Sequence, residues 1–473
     1  MPPGRLLLAF FIPIITLSNL LHLAQVPKLN AEGFDASEIG LHRHLVFEME
    51  QLKQHQLAHG TFFFGPHSHE NDVVSSYEPP LTLTQEKFLN DTTIDVEEEV
   101  ERCARYNFKI SNVTHPKRRR LFLGALLADD SMEVLRAVGT EVYDMFHTVS
   151  FIESNTTQTL TPRRWKYYNS TTPAKKLITL HQLFGPKTRV SVDYYIAALP
   201  ETSGIVGLER EWVHREGSSH RWALNGMRVD DIGIIADADE AFTRDFLRAM
   251  QICDVPEFRP NQDCMNPKVI ASTMVFESSP NCVTKDRRWF HPDAILGECL
   301  EHVGDAMLHP LARREISEKH GKRLEGHGKD GNYSKYMSEQ GIGFNNSYPL
   351  WSATDFRNQV GGRMISMADG VSPTGYHFHN FFDSANDIRV KYHTYGHPLD
   401  DAMDQPIWEL DKNDLGAAVD CARGEGKYSL AFNNTGSSVM PIYYLNDDVR
   451  NTRVQKWQRI VNGEDDYWGT INS

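Results

Sequence analysis

The stretch "DDIGIIADADE", from Asp230 to Glu240, runs an apolar segment directly into a cluster of carboxylates. Carboxylates this close together repel one another and raise one another's pKa unless a cation neutralises them. A hard divalent cation such as Mn²⁺ or Mg²⁺ meets that need and keeps coordination positions open for the phosphate oxygens of a substrate. Asp237, Asp239 and Glu240 therefore form a candidate metal site for a diphosphate ligand.

Two other interpretations of these carboxylates stay open. They can cap the helix that "EAFTRDFLRAMQ" predicts, with Glu240 in its first turn. A phosphatase of the haloacid dehalogenase type also places Asp-x-Asp after an apolar strand and uses the first Asp as its nucleophile. That motif favours Thr or Val where Ala241 stands, and it usually opens its domain, so we rank it below a diphosphate-binding metal site.

The elements that must position these side chains are predicted by the hydrophobic pattern. "LFLGALL" from Leu121 is a run of buried-strand length, a helix capped near Asp130 or Ser131 follows, and "TVSFI" is a second buried strand. Strand, helix and strand in this order predict a βαβ unit of a parallel sheet.

The alternation continues along the chain. We expect strands at "RVSVDYYIA" from Arg189, "IGIIA" from Ile232, "VIASTMVFE" from Val269 and "IRVKYHTY" from Ile388, and a helix over about 210–225. The prediction is an α/β fold with an open sheet, in which ligands bind at the carboxyl ends of the strands. "IGIIA" would deliver Asp237 and Asp239 to that edge.

Composition limits the class of protein. The chain has 473 residues, of which 40% are hydrophobic, and a formal net charge of −14. It is long enough to bury a substantial core. Nucleic acid is not expected as a partner, because a phosphate-binding surface of that kind needs an excess of basic residues.

The N-terminus indicates a membrane-anchored lumenal protein. After Arg5 comes "LLLAFFIPIITL", and we interpret residues 1–25 as an uncleaved signal anchor, with a cleaved signal peptide as the alternative. Arg5 on its N-terminal side predicts that the rest of the chain is lumenal. We expect a stem over 26–115 and a catalytic domain over 116–473.

Sequons and cysteines agree with that compartment. Acceptor sequons occur at Asn90, Asn112, Asn155, Asn169, Asn332, Asn345 and Asn433. The cysteine count of six is even, and no Cys-x-x-Cys zinc spacing occurs, so we expect disulfides. Fifteen connectivities are possible, and the four cysteines from Cys253 to Cys299 could pair locally.

Several segments match a known family in order and spacing. They are "VSFIESNTTQTLTPRRWKYY" from Val149, "EREWVHREG" from Glu209, "RVDDIGIIADADEAFTRDFLRAM" from Arg228, and "GYHFHNFF" from Gly375 with "VKYHTYGH" from Val390. Together they resemble glycosyltransferase family 17, the family of the bisecting β-1,4-N-acetylglucosaminyltransferase, over roughly residues 118–400. The resemblance implies a type II Golgi membrane enzyme with a GT-A-like, Rossmann-type open sheet, a UDP-GlcNAc donor, Mn²⁺ and an N-glycan acceptor.

The same resemblance assigns roles to single residues. Asp237 and Asp239 match the family's Asp-x-Asp, Glu240 matches the acidic residue after it, and His377 matches a His that suits a third metal position. The positions that match family residues near the donor are Glu153, Arg215 and Lys391. Each also has a structural interpretation: a cap or ion pair for Glu153, an i,i+4 pair with Glu211 for Arg215, and a solvated strand lysine for Lys391.

Asn155 conflicts with a donor pocket at this place, because a glycan on it would obstruct the pocket. The segments 310–347 and beyond about 400 have no counterpart that we can place in the family.

The implied reaction is inverting transfer of GlcNAc to a hydroxyl of an N-glycan, which needs a carboxylate that accepts the hydroxyl proton. Asp293, expected at the start of a helix in "WFHPDAILGE", is the candidate for this base, and Glu298 is the alternative. A metal-dependent phosphohydrolase and a non-catalytic glycan-binding protein of the same fold remain open as other classes of function.

Overall fold

A computed structural model of the chain describes residues 61–63, 95–111, 118–128, 130–163, 182–196, 208–259, 264, 267–300, 303, 351, 353–358, 362–368, 372–425 and 440–464. The predicted anchor, most of the predicted stem and the segment 310–347 lie outside these ranges. Among the helices that are described, none is both long and apolar enough to cross a membrane.

The strands are β1 (Thr61–Phe63), β2 (Leu121–Leu127), β3 (Thr148–Ser154), β4 (Arg189–Ile196), β5 (Ile232–Asp237), β6 (Glu240–Phe242), β7 (Lys268–Ala271), β8 (Thr273–Glu277), β9 (Val283–Trp289), β10 (Asp293–Leu296), β11 (Gly362–Ile365) and β12 (Gly375–His379). The helices are α1 (Val96–Arg105), α2 (Met132–Glu141), α3 (Leu208–Leu224), α4 (Arg244–Ile252), α5 (Ala353–Asn358), α6 (Ala385–Thr394), α7 (Ile407–Leu410), α8 (Leu415–Ala422) and α9 (Asp447–Val461).

The fold is mixed α/β, as the sequence predicts, and its larger sheet contains both parallel and antiparallel strands. The order of this sheet is β1-β4-β3-β2-β5-β10-β7-β11. Strands β4, β3, β2 and β5 are parallel, whereas β10 is antiparallel to both of its neighbours. The four parallel strands therefore deliver their carboxyl ends to one edge, as in a Rossmann-like open sheet.

The βαβ unit from Leu121 is confirmed. Strand β2 pairs in parallel with β3, and between them Ser131 caps α2 by accepting a hydrogen bond from Val134 N. The inner face of this helix consists of Val134, Leu135, Val138 and Val142, all of which are buried. Continuous apolar strands are expected here because helices cover this part of the sheet.

A second sheet of order β6-β12-β8-β9 stands beside the carboxyl end of β5. The apolar run from Val269 was predicted as one strand, but it divides at Ser272 into β7 of the large sheet and β8 of the small one. Glu240 begins strand β6 and not a helix, and Thr243 caps the following helix α4.

Two further predictions of local structure are wrong. "IRVKYHTY" is not a strand, since Ile388 and Lys391 lie in helix α6, which Ser384 caps. Asp293 does not begin a helix but strand β10, where it pairs with Ile235 of β5 and Ile270 of β7. Both segments are short and partly apolar, which is the case in which periodicity does not separate strand from helix.

Three disulfides confirm the prediction of an oxidised chain: Cys103–Cys253, Cys264–Cys299 and Cys282–Cys421. Only the second of them joins two cysteines within the Cys253–Cys299 segment; the other two connect residues 150 and 139 positions apart. Cys103 belongs to α1, so this helix of the predicted stem region is covalently joined to the end of α4.

Candidate functional site

A cavity of about 300 Å³ opens where β2, β3 and β5 end. Ala128, Ser154, Asp237 and Asp239 line it from the large sheet side, and residues of β12 and α6 line it from the other side. The cavity thus occupies the carboxyl-terminal edge at which an open α/β sheet is expected to bind its ligand.

Asp237 is held between two guanidinium groups. Its Oδ1 accepts a hydrogen bond from Arg215 Nη2 at 2.7 Å, and its Oδ2 accepts one from Arg357 Nη2 at 2.8 Å. Burial alone would raise the pKa of Asp237, but the charges of Arg357 and Arg215 hold it well below its usual range. The carboxylate is consequently ionised and fixed in orientation.

Asp239 and His377 meet across the start of the small sheet. Strand β12 pairs antiparallel with β6 so that His377 lies opposite Glu240, and Phe378 N donates to Asp239 O at 2.8 Å. Asp239 Oδ2 and His377 Nε2 are then 3.4 Å apart. Burial opposes both charges, yet the facing carboxylate raises the pKa of His377, and His377 with Lys391 lowers the pKa of Asp239.

Glu240 braces the turn that carries the two aspartates. It is 1% exposed, and its Oε2 accepts hydrogen bonds from Asp237 N at 2.9 Å and from Arg357 Nη1 at 3.0 Å. Trp289 Nε1 donates to its other oxygen, and the Trp289 ring stacks on His377. The structure therefore places Glu240 behind the cavity wall and not in the wall itself.

Lys391 reaches the cavity from helix α6. Its Nζ donates to Asn380 Oδ1 at 3.0 Å and lies 5.5 Å from the centre of the Phe382 ring. A lysine fixed in this way presents a positive charge beside Asp239 and His377. Such a charge suits an anionic ligand.

Arg215 and Glu153 are buried beside the cavity. Arg215 pairs with Glu211 one helical turn away as well as with Asp237, so it fixes two acidic groups. Glu211 itself lines the cavity, as do Ile152 and Ser154 on either side of Glu153. Because neighbouring residues of a strand face opposite ways, the Glu153 side chain belongs to the other face of β3.

The two candidates for the base lie in different places. Asp293 is fully buried next to the site, where Lys268 Nζ lies 3.0 Å from its Oδ1 and His291 Nδ1 hydrogen bonds to its Oδ2. Glu298 follows β10, whose last residue Leu296 pairs with Ile232 at the beginning of β5. The structure therefore separates Glu298 from Asp237 by the length of that strand.

Asn155 sits in the turn after β3, between the cavity-lining residues Ser154 and Thr156. It is half-buried, and its backbone N donates to Tyr195 O at 3.3 Å. A glycan on Asn155 would therefore lie beside the cavity and obstruct a ligand bound in it.

Sequence reasoning missed several residues of this region. Arg357 contacts Asp237, Glu240 and Asp293 although it lies about 120 positions beyond the first two. His214 of α3 lines the cavity and packs on the Tyr195 ring, and burial lowers its pKa to about 3. His379 was not missed, since it follows the same Gly-containing turn as His377 in the sequence, and the structure places it on the same face of β12.

The donor set fits a divalent cation in part. Asp239 and His377 offer one oxygen and one nitrogen at a spacing that two neighbouring ligands of one cation can adopt. Asp237 is engaged by two arginines, but a carboxylate has about four acceptor positions and retains some of them for a metal. Asp239 and His377 would therefore be the direct ligands, and Asp237 an adjacent one.

Comparison with known proteins gives no further assignment, since no protein-family model matches the chain and no curated protein matches it. The resemblance to glycosyltransferase family 17 therefore stays a prediction.

Proposed function

We propose that the chain is an inverting glycosyltransferase that moves GlcNAc from UDP-GlcNAc to a hydroxyl of an N-glycan, with Mn²⁺ or Mg²⁺ bound by Asp239 and His377. The observation that carries this proposal is the cavity at the ends of β2, β3 and β5, where these two residues meet Lys391. Carboxylate, imidazole and ammonium groups at one edge suit a metal-bound diphosphate. A bound cation would stabilise negative charge on the UDP leaving group.

The fold supports the same function. A GT-A-like architecture requires a Rossmann-type open sheet with the acidic motif at a strand end, and β5 delivers Asp237 and Asp239 in this way. A Golgi location with the catalytic part in the lumen agrees with the three disulfides. The membrane anchor itself is proposed from the sequence of residues 1–25.

In the proposed reaction the acceptor oxygen bonds to C1 of the sugar while the bond between C1 and the phosphate oxygen breaks. UDP leaves with the electron pair, and the hydroxyl proton passes to a base. Asp293 is too deeply buried to meet an acceptor, so we assign it a positioning role through His291. Asp293 hydrogen bonds to His291 Nδ1, and we propose the other ring nitrogen, Nε2, as the group that accepts the proton.

The experiment is UDP release by the purified chain with a panel of UDP-sugars, an N-glycan mixture and Mn²⁺. We expect acceptor-dependent release with UDP-GlcNAc, and a loss of at least about 100-fold in Asp239→Asn. The matched control is Asp230→Asn. Asp230 is exposed and precedes the first residue of β5, at the end of the strand away from the cavity, so this variant should retain activity.

Other outcomes would overturn the proposal. Release that does not depend on an acceptor would indicate a metal-dependent phosphohydrolase, and no release together with no UDP binding would indicate a glycan-binding protein. For the base, His291→Gln should lower kcat by at least about 100-fold with little change in KM. An unchanged kcat would contradict the role of His291.

A further inference from the structure

A second group of potential metal ligands lies next to the cavity and takes no part in the reaction proposed above. Glu277 ends β8, His379 ends β12 and Asp414 directly precedes α8. Each offers one ligand atom, and the three atoms lie within 4.8 Å of one another. His379 Nδ1 is 2.7 Å from Glu277 Oε2 and 3.8 Å from Asp414 Oδ2.

Both carboxylates of this group are removed from solvent. Glu277 is fully buried and Asp414 is 4% exposed. Glu277 makes its side-chain hydrogen bonds with His379, Asn380 and Ser278, and the positive charge of Lys391, whose Nζ hydrogen bonds to Asn380, also acts on it. Neighbouring buried carboxylates are costly unless a cation compensates them.

Main-chain pairing and hydrogen bonds fix the positions from which the three side chains extend. The parallel register of β8 and β12 sets His379 opposite Glu277, and Ser278 N donates to His379 O at 2.8 Å. Asp414 N donates to Asp411 Oδ1 at 3.0 Å, which fixes the turn before α8. The disulfide Cys282–Cys421 ties α8 to the start of β9.

Hydrogen bonds to the outer oxygen of Glu277 leave its inner oxygen facing His379 Nδ1, to which it hydrogen bonds. Asn380 Nδ2 donates to Glu277 Oε1 at 2.8 Å, so this oxygen is occupied while Oε2 faces His379. Such partners orient the ligands of metal sites in proteins. Asn380 also accepts from Lys391, which connects the group to the cavity wall.

We propose that Glu277, His379 and Asp414 bind a divalent transition-metal cation of the Mn²⁺ or Zn²⁺ type. One imidazole and two carboxylates are a common ligand set for such ions, and the nitrogen disfavours Ca²⁺ and Mg²⁺. The His379 ring lines the cavity and lies 5.1 Å from the His377 ring. A cation bound here would add positive charge beside the Asp239–His377 pair. Binding of this cation does not require that the protein catalyses glycosyl transfer.

The test counts Mn²⁺ ions bound per full-length chain, from the electron paramagnetic resonance signal of free Mn²⁺ at rising concentration. We expect two sites in the wild type and one each in Asp414→Asn and Glu277→Gln. The control Asp420→Asn, on the exposed side of α8, should keep both sites. Mg²⁺ in tenfold excess should leave the site at Asp414 occupied.

The outcomes separate this site from the one in the proposed function. A single ion that Asp414→Asn removes and Asp239→Asn retains supports the second site and overturns the metal site proposed at Asp239. A Mn²⁺ count that neither Asp414→Asn nor Glu277→Gln lowers overturns the inference. If near-ultraviolet circular dichroism shows that Asp414→Asn is unfolded, the count in the isosteric Glu277→Gln decides.

Discussion

Arg357 organises the carboxylates around the site. It is 4% exposed, and its guanidinium contacts Asp237, Glu240 and Asp293 from a short helix, α5. Asp237 is anchored from its other side by Arg215, and Asp293 by Lys268. The Asp-x-Asp turn is therefore preorganised by buried ion pairs before any ligand binds.

Replacement of Arg357 should show how much the turn depends on it. In Arg357→Met three buried or partly buried carboxylates lose their shared counter-charge, and we expect the free energy of unfolding to fall by about 3 to 5 kcal/mol. Urea unfolding measures this change. Arg259→Met removes an exposed, solvent-screened pair with Asp254 and should leave the free energy of unfolding nearly unchanged. Equal losses in the two variants would contradict the role of Arg357.

His214 should make stability depend on pH. Burial, with the charges of Arg210, Arg163 and Arg215, lowers its pKa from 6.5 to about 3. Between about pH 6.5 and pH 3 the unfolded chain therefore binds a proton at His214 that the folded chain does not bind. The free energy of unfolding is highest above about pH 6.5, where His214 is neutral in both states, and decreases as the pH falls towards 3.

The measurement compares urea unfolding of the wild type and His214→Gln at about pH 7 and about pH 4. We expect the wild type to lose about 3 kcal/mol more than the variant over this interval. His393→Gln, at an exposed position of α6, should follow the wild type. If the wild type and His214→Gln lose the same free energy of unfolding between the two pH values, the pKa of His214 is not lowered by folding.

The sequence predicted some residues of the site and not others, for a physical reason. Asp239 follows a buried strand, and His377 was found by resemblance, so their meeting was expected. Arg357 and Asp414 lie in segments for which no element was predicted, and Glu277 ends the strand predicted from Val269. Only long-range strand pairing and helix packing bring these three residues to the site. Local patterns carry no information about such contacts.

At the scale of elements, the strands of the parallel sheet were predictable and the small sheet was not. Strands β2, β3 and β5 are continuous apolar runs, which the burial of both faces requires. The prediction failed at α6, where Ile388 and Tyr392 are buried four residues apart while Lys391 faces the cavity. That spacing is helical, but with Val390 between them Ile388, Val390 and Tyr392 also alternate with charged residues as in a strand.

The contact between α3 and the sheet depends on Gly124 of β2. A Cβ atom at this position would lie 2.6 Å from Ser218 Cβ and Oγ. Gly124→Ala should force α3 outwards, lower the free energy of unfolding by about 1 to 3 kcal/mol and reduce UDP release, because α3 carries Arg215. Both quantities can be measured on the same preparation.

Gly416→Ala is the control for this substitution. Gly416 lies in α8, where the nearest atom to an added Cβ is 3.5 Å away, so alanine fits. We expect unchanged or slightly higher stability, since alanine favours the helix. A loss in Gly416→Ala as large as that in Gly124→Ala would mean that crowding against Ser218 is not the cause.

At the scale of the molecule, the disulfides join parts that the sheet alone does not hold together. The helices α6, α7, α8 and α9 share a hydrophobic cluster of their own, separate from the core under the parallel strands. Cys282–Cys421 connects that cluster to the small sheet, and Arg453 of α9 adds a hydrogen bond to Ser278 O. The cluster therefore positions Lys391 at the cavity and Asp414 beside His379.

Removal of Cys282–Cys421 tests this arrangement. The bond closes a segment of 139 residues, and its loss in Cys282→Ala/Cys421→Ala should lower the free energy of unfolding by about 2 to 4 kcal/mol. It should also weaken Mn²⁺ binding at Glu277, His379 and Asp414, because α8 is no longer tied to the strand turn beside them.

The matched variant is Cys264→Ala/Cys299→Ala, whose bond closes a segment of only 35 residues. Since loop-closure entropy grows with the logarithm of length, this variant should lose about 1 kcal/mol less, and its Mn²⁺ binding should match the wild type. Urea unfolding under non-oxidising conditions and the Mn²⁺ titration measure the two effects. If both variants bind Mn²⁺ like the wild type, packing of the helical cluster rather than the disulfide holds Asp414 in place.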